Sequence, residues 1–389
     1  MLKGFFGALI AAIILFAAGG VTIAIFGKND VRYTEEFASV TWGGGHLIDE
    51  SVSGEKTWYF DTEMTDIYGI VVNSSDVKTY IEPSADNRLS VRVQTDVWRG
   101  VSVKAENRNN ECLELNVSGE KLGGFISFGS SNGTVTICVP DKIYANLGLN
   151  VGSGLLEARG IKAASNMFNV GSGRFEFEQS EGFTASSLDL DMGSGSVKIA
   201  NAAAESFKIV MGSGNFDISG LTGTGRIEIG SGSGTAEFAK RYSANNIFDL
   251  GSGKLTVYIP DDTKADLYAD IGSGTVSVNC CGISQTLHDD RIILLNGGSN
   301  NALSLYVYLG SGKVDLRNAS EYKRPDMFSD FPNTGNTPSG EAVAEQDNNS
   351  GFGAAVGGVY ITEYAAGVIP ADRLDAELIS SVTTIEADS

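Results

Sequence analysis

Histidine, proline, cysteine and basic residues are all scarce in this sequence. The 389 residues include 2 His and 7 Pro, and 28 Lys and Arg stand against 48 Asp and Glu, for a formal net charge of −20. A chain this acidic repels nucleic acid and anionic lipid headgroups, so nucleic acid is excluded as a partner. So few prolines exclude a collagen-like or proline-rich disordered chain.

The cysteine pattern offers neither a disulfide framework nor a zinc site. The four cysteines, Cys112, Cys138, Cys280 and Cys281, show no CxxC spacing, the spacing that is typical of zinc sites. Cys280 and Cys281 are adjacent, which is poor geometry for bridging each other. We expect isolated strand cysteines that pack as small apolar residues.

One long apolar run lies near the N-terminus. Residues 5–26 carry no charge, and as a helix they would be about 33 Å long, close to the thickness of a bilayer core. The run continues past the small residues 17–19, so an uncleaved anchor is favoured over a cleaved signal. We predict a transmembrane helix within residues 1–30 of a single-pass cell-membrane protein. Its N-terminus would be inside and its acidic bulk extracytoplasmic, although flanking basic residues lie on both sides.

The remaining sequence is organised by a repeat of Gly-Ser-Gly. The motif begins at Gly152, Gly171, Gly193, Gly212, Gly230, Gly251, Gly272 and Gly310. The spacing is near 20 residues, and the last interval fits two periods with a degenerate turn within residues 296–300. A period of about 20 residues is the size of one coil of a β-solenoid.

Alternating apolar residues flank each Gly-Ser-Gly and predict a half-buried strand on either side. Met211 and Phe216 stand five positions apart across one motif. Residues an odd number apart on a flat strand point to opposite faces, so the chain must turn if both are in the core. We therefore predict a corner, with glycine accepting a positive φ.

A longer duplication lies over the short repeat. Residues 138–154 and 258–274 align without a gap and share a Pro-Asp step that precedes a Gly-Ser-Gly. Proline cannot donate to a strand ladder, so Pro140 and Pro260 are predicted to end strands.

These patterns predict an all-β fold, a parallel β-solenoid with coils of about 20 residues, preceded by one transmembrane α-helix. Residues 31–60 are predicted to be a juxtamembrane spacer or first strand. The solenoid is predicted to span 61–320, with capping coils over 61 to about 105. Residues 321–389 are predicted to be a disordered acidic tail with a short helix near Pro370. An antiparallel sheet with Gly-Ser-Gly hairpins is the second fold considered.

The chain resembles a known group of bacterial surface proteins. The motifs are the N-terminal anchor, the strand-rich segment 67–94, the V-x-I-x-V-P-D step at 135–141, and the repeated Gly-Ser-Gly units. Their order resembles the putative-adhesin family, over roughly residues 60–318. The resemblance implies a β-solenoid behind a transmembrane helix, with links in some members to cell-envelope stress responses. It implies no catalytic residues.

The motifs do not indicate catalysis, a cofactor or a metal. Strands follow every Gly-Ser-Gly, whereas phosphate-binding loops open a helix, and the aspartates of a calcium β-roll are missing. Residues 129–133 fit G-x-S-x-G, but a strand follows, so a hairpin loop is favoured over a nucleophile elbow. His46 and His288 are expected at the surface.

One pattern points to partner contact. The outward residues after the corners are predicted to form a ladder of Glu157, Glu176, Lys198, Asp217, Glu237, Thr256, Ser277 and Asp315. Like charges on adjacent rungs disfavour each other, and Arg174, Lys254 and Lys313 are placed to offset this. The acidic members (Glu157, Glu176, Asp217, Glu237 and Asp315) form either a solvated face or a surface that recruits divalent cations or basic partners.

We expect a structural or adhesive surface protein that contacts a surface glycan, matrix or envelope protein. One alternative is an envelope-stress regulatory or ligand-sensing module. A second is a carbohydrate-active enzyme, which would need a localised acid/base cluster. The acids are instead spread by the repeat, so no enzyme is expected.

Overall fold

The structure is a computed structural model that describes residues 36–42, 45–60, 67–96, 100–108, 111–120, 133–239, 245–261, 263, 265–288 and 303–331. These residues belong to the first of two compact units, 1–336, and the second unit, 337–389, lies outside the described residues. The predicted anchor, residues 129–132 of the G-x-S-x-G motif, the degenerate turn at 296–300 and the C-terminal helix also lie outside them. Within the described ranges no helix is long and apolar enough to cross a membrane.

Twenty-five β-strands and a 3-10 turn (Ala319–Glu321) account for the regular structure of the described residues. In chain order the strands are β1 (Glu36–Val40), β2 (Gly45–Val52), β3 (Glu55–Phe60), β4 (Gly69–Ser75), β5 (Lys78–Pro83), β6 (Ser90–Gln94), β7 (Gly100–Arg108), β8 (Cys112–Glu120), β9 (Thr134–Val139), β10 (Ile143–Val151), β11 (Leu155–Val170), β12 (Arg174–Gln179), β13 (Ala185–Met192), β14 (Ser196–Ala200), β15 (Ala204–Met211), β16 (Asn215–Leu221), β17 (Thr224–Ile229), β18 (Ser233–Phe238), β19 (Asn245–Leu250), β20 (Lys254–Ile259), β21 (Ala265–Ile271), β22 (Thr275–Cys280), β23 (Ile283–Leu287), β24 (Leu303–Leu309) and β25 (Lys313–Asn318). The predicted all-β fold is confirmed.

The strands pair into two sheets, and a coil is one strand of each sheet joined by a corner. Sheet A contains β12, β14 and β16, and sheet B contains β13, β15 and β17, with parallel pairing throughout this series. Parallel pairing is consistent with a solenoid and shows that the antiparallel alternative was wrong. The core lies between the sheets, where Met211 and Phe216 are both buried, as the odd spacing predicted.

The Gly-Ser-Gly corners stack in a column. Gly193 N donates to Val170 O at 2.8 Å, and Ser194 N donates to Gly171 O at 2.9 Å, a pattern that recurs from coil to coil. The predicted reason for the glycines was wrong, because none of them has a φ in the left-handed region. A Cβ on Gly214 would lie 2.3 Å from Gly195 O. The glycines are needed because adjacent corners approach too closely for a side chain.

The coils do not stack in chain order. In space the strand pairs run β8/β9, β4/β5, β10/β11, β11/β12, β13/β14, β15/β16, β17/β18, β19/β20, β24/β25 and β21/β22. The chain therefore skips one coil between β9 and β10, and again between β20 and β21.

The duplicated Pro-Asp step marks both skips. Pro140 follows β9 and Pro260 follows β20, so both prolines end strands as predicted. Tyr144 Oη donates to Pro140 O at 2.8 Å, and Thr263 N donates to Pro260 O at 2.9 Å. The duplication thus repeats a connection that passes over one coil.

Antiparallel strands cover the ends of the stack. At one end β6 pairs with β9 and β7 with β8, and β3 and β2 add further outward. At the other end β23 pairs with β22. Residues 36–60, predicted to be a spacer or first strand, thus supply strands of the N-terminal cap. Within the predicted capping region, only β6 and β7 belong to this cap, because β4 and β5 form an internal coil.

Candidate interaction faces

The outward ladder of sheet A follows the predicted order for most of its length. Glu157, Glu176, Lys198 and Asp217 lie on successive strands in register. Thr235, Thr256, Asp315 and Ser277 continue the ladder.

Glu237 was wrongly placed in this ladder. It lies opposite Tyr258, two positions further along its strand. The sequence reads Gly-Ser-Gly-Ser-Gly at 230–234, so β18 begins within the glycine run, at Ser233. The outward positions of β18 were therefore counted from the wrong residue, and Thr235 is the outward residue in the ladder.

The part of this ladder from Glu157 to Asp217 is covered rather than open. Glu157 and Glu176 are both 0% exposed, although they point outward from sheet A. The cover is residues 322–331, which we call the strap, and it follows the 3-10 turn after β25. The tail predicted to be disordered from 321 therefore begins with an ordered segment, whose recurring aromatic residues are the signal that could have revealed it. Residues 332–389 lie outside the described residues.

Hydrogen bonds join residues 322–328 of the strap to the outer face of sheet A. They run from Tyr322 Oη to Asp217 Oδ1 (2.6 Å), Lys198 Nζ to Asp326 O (2.5 Å), Phe328 N to Glu176 Oε2 (2.5 Å) and Arg324 Nη2 to Glu178 Oε1 (2.6 Å). Because these partners lie on three successive strands, the strap crosses the coils.

The end of the strap packs on an aromatic and cationic site. Phe331 meets Tyr80 edge-on with 5.0 Å between ring centroids, and the Arg159 guanidinium lies 3.8 Å from the centre of the Phe331 ring. Tyr80 Oη donates to Asp330 O at 2.7 Å, and Arg174 lies 3.6 Å from the Asp330 carboxylate. This combination of contacts fixes the strap over the rung next to Glu157.

Glu176 is well partnered beneath the strap. Its Oε1 accepts from Arg174 at 2.5 Å and lies 3.2 Å from Lys198 Nζ. Burial raises its pKa, but the Phe328 N–H, Arg174 and Lys198 outweigh burial, so the pKa of Glu176 is lowered overall. Glu176 is therefore an ionised anchor for the strap.

Glu157 has the opposite environment. Neither of its carboxylate oxygens has a hydrogen-bond partner. Burial, and then the negative charge of Glu176, raise the pKa of Glu157 to about 7. The pKa values of two adjacent carboxylates on one face are thus shifted in opposite directions, because only Glu176 has hydrogen-bond partners.

The remaining acids of the ladder are also compensated. Burial raises the pKa of Asp217, whose carboxylate accepts from Tyr322. Asp315 lies 2.8 Å from Lys313 and 3.8 Å from Lys254. The lysines expected to offset the repulsion therefore do contact the ladder.

Sheet B presents a different surface, with a ladder of amides. Asn169 Nδ2 donates to Asn150 Oδ1 (2.5 Å), Asn150 Nδ2 to Asn73 Oδ1 (2.6 Å), and Asn73 Nδ2 to Asn116 Oδ1 (2.7 Å). Asp191 is next in register. The ladder was not predicted, because the alternation identifies outward positions but not which coils are neighbours.

The amide ladder lines a groove of about 610 Å³. Lys104 stands at one end and Asp191 at the other, and serines, corner glycines and the valines Val117, Val151 and Val170 complete the lining. Outward side chains of sheet B stay exposed beyond the groove as well, with Met167 at 55% and Tyr308 at 48%.

All four cysteines are free, and the Sγ atoms of Cys280 and Cys281 lie 3.6 Å apart. His46 and His288 are exposed, as predicted. Across the described ranges, no group of three or more His, Cys, Asp or Glu side chains is arranged to hold a metal ion.

The sequence profile of the Toastrack DUF4097 family matches residues 67–279. The chain belongs to this family. No curated protein sequence matches it.

Similar solved structures are distant in sequence. A "putative cell adhesion protein" from Clostridium sporogenes is 14% identical, with a TM-score of 0.23, covering 70% of this chain and 100% of its own. From Parabacteroides distasonis, a "putative adhesin" is 16% identical with a TM-score of 0.29, and a "putative lipid binding protein" is 14% identical with a TM-score of 0.36. Each covers 72% of this chain and 99% of its own.

Proposed function

We propose that this protein is a membrane-anchored, extracytoplasmic surface protein with a structural or adhesive role. Its body would be a rigid solenoid of coils of about 20 residues, held by a helix in residues 1–30. The observation that supports this proposal is that the outer faces of sheet A and sheet B are covered unequally. The strap covers the sheet A ladder from Tyr80 to Asp217, whereas sheet B keeps a groove lined by the amide ladder and exposed outward side chains.

The groove suits a partner with repeated hydrogen-bonding groups. Each amide has two donors and an acceptor oxygen with two lone pairs, and the ladder uses only part of that capacity. The amides repeat at the spacing of adjacent strands, about 4.8 Å. An extended surface glycan presents hydroxyl groups at a similarly short repeat, and we propose it as the partner. A matrix or envelope protein is the alternative partner.

Binding of the full-length protein in membranes to immobilised mucin glycans, purified peptidoglycan and collagen tests this proposal. Asn150→Arg and Asn169→Arg place bulk and charge in the groove, and we expect each to reduce glycan binding at least tenfold. Asn279→Arg introduces the same change at an exposed position on sheet A and should bind as the parent does. The proposal fails if no glycan binds, or if all three variants bind equally.

The strap favours regulation or ligand sensing as a second candidate function, because it occupies a face that a partner could otherwise contact. No enzymatic activity is proposed, since Glu176, Asp217 and Asp315 hold the strap or pair with lysines, and Glu157 is buried beneath the strap. Retention of glycan binding when the strap is displaced would separate the adhesive role from the regulatory one.

A further inference from the structure

Glu157 lies beneath the strap without any hydrogen-bond partner, between two residues that the strap contacts directly. Its neighbours in the ladder are Tyr80 and Glu176. Tyr80 donates to Asp330 O, and Glu176 accepts from Phe328 N. Strap residues 328–331 therefore close over the Glu157 carboxyl group, which is 0% exposed.

We propose that the strap is a pH-controlled cover of sheet A, docked while Glu157 is protonated and released as Glu157 ionises. Release would uncover the outward ladder from Tyr80 to Asp217. This inference does not depend on the adhesive role, because it concerns the face opposite the groove.

The charges around Glu157 explain why ionisation opposes docking. The groups that face it are Lys78 and Tyr80 on β5, Arg174 and Glu176 on β12, and Asp330 on the strap. Arg174 already binds Glu176 and lies near Asp330. An ionised Glu157 would be a buried anion with two anionic neighbours and no hydrogen bond, an arrangement that disfavours the charged form.

The sign of the pH dependence follows from linkage. Docking buries Glu157 and brings Asp330 close, and both effects raise its pKa. A group whose pKa is raised in the docked state favours docking most below its undocked pKa. That contribution is lost as the pH rises towards its docked pKa, about 7. The docking equilibrium then falls by at most about tenfold per pH unit over that interval.

Glu176 has the opposite effect on docking, which weakens at low pH when Glu176 is protonated. Its pKa is lowered when Phe328 N and the cations contact it, so its contribution to docking is lost as the pH falls through that lowered value. Burial raises the pKa of Asp217 more than the hydrogen bond from Tyr322 lowers it, so Asp217 acts in the same direction as Glu157. We therefore expect docking to be strongest in mildly acidic solution and weaker at pH 8.

Hydrogen–deuterium exchange of the full-length protein tests the proposal. Protection of amides in residues 322–331, corrected for the intrinsic pH dependence of exchange, is compared between pH 5.5 and pH 8.0. We expect at least a tenfold loss of protection at pH 8.0. Glu157→Gln should remove this dependence, while Glu228→Gln, which removes a carboxylate on sheet B, should retain it. Unchanged wild-type protection, or equal loss in Glu157→Gln, would overturn the proposal.

Loss of amide protection in β12 and β14 would show that Glu157→Gln disturbs folding. In that case, two further variants test the proposal. Phe331→Ala removes the contact with Tyr80 and Arg159 and should expose the strap at both pH values. Asp330→Asn removes one negative charge facing Glu157 and should weaken the pH dependence. The same pH dependence in Asp330→Asn as in wild type would contradict the proposed charge coupling.

Discussion

At each Gly-Ser-Gly corner, the second glycine is required by the backbone of the coil beside it. A Cβ on Gly214 would lie 2.3 Å from Gly195 O and 2.8 Å from Met192 Cε. The neighbouring Ser213 is exposed. A single motif therefore contains one position that tolerates change and one that does not.

Gly214→Ala should destabilise the protein by about 1–3 kcal/mol, because the added methyl group overpacks the corner against a backbone that cannot move freely. Ser213→Ala should change stability by less than about 0.5 kcal/mol, as expected for an exposed position. Urea-unfolding midpoints of the two variants provide the comparison. Equal midpoints would show that the corners are looser than the structure indicates.

At the scale of the elements, the coil order is the main departure from a simple repeat. β24 and β25 enter between coils that precede them in the chain. The Pro-Asp duplication signalled the two connections responsible, but the sequence alone did not reveal that each passes over a coil. Strand alternation specifies the faces of a strand, whereas the choice of neighbour depends on packing between distant segments.

Engineered cysteines provide a direct test of this order. In a variant whose four native cysteines are replaced by serine, Asp249→Cys with Tyr308→Cys should form a disulfide, because these residues are paired in register. Asp249→Cys with Asp270→Cys should not, because Tyr308 lies between them and two strand spacings, about 9.6 Å, exceed the reach of a disulfide. Preferential cross-linking of the 249–270 pair would indicate stacking in chain order.

At the scale of the whole molecule, the all-β class, the corners and most of the sheet A ladder could be predicted from the repeat. The cover on that ladder could not. Outward-facing Glu157 and Glu176 look like solvated surface residues until the strap is placed. The sequence of the strap shows no alternation of apolar and polar residues. Its position depends on single contacts, such as that of Phe331 with Tyr80. The groove in turn depends on a coil order that the repeat does not specify.

The most direct test of the account is whether the two faces differ in access. Carbodiimide labelling of the full-length protein at pH 5.5, read out by peptide mass spectrometry, reports the accessibility of individual carboxyl groups. We predict rapid labelling of the exposed Asp191 and Asp270 and slow labelling of Glu157 and Glu176 beneath the strap. Labelling of Glu157 and Glu176 as fast as Asp191 would contradict the account, because it would mean that sheet A is as open as sheet B.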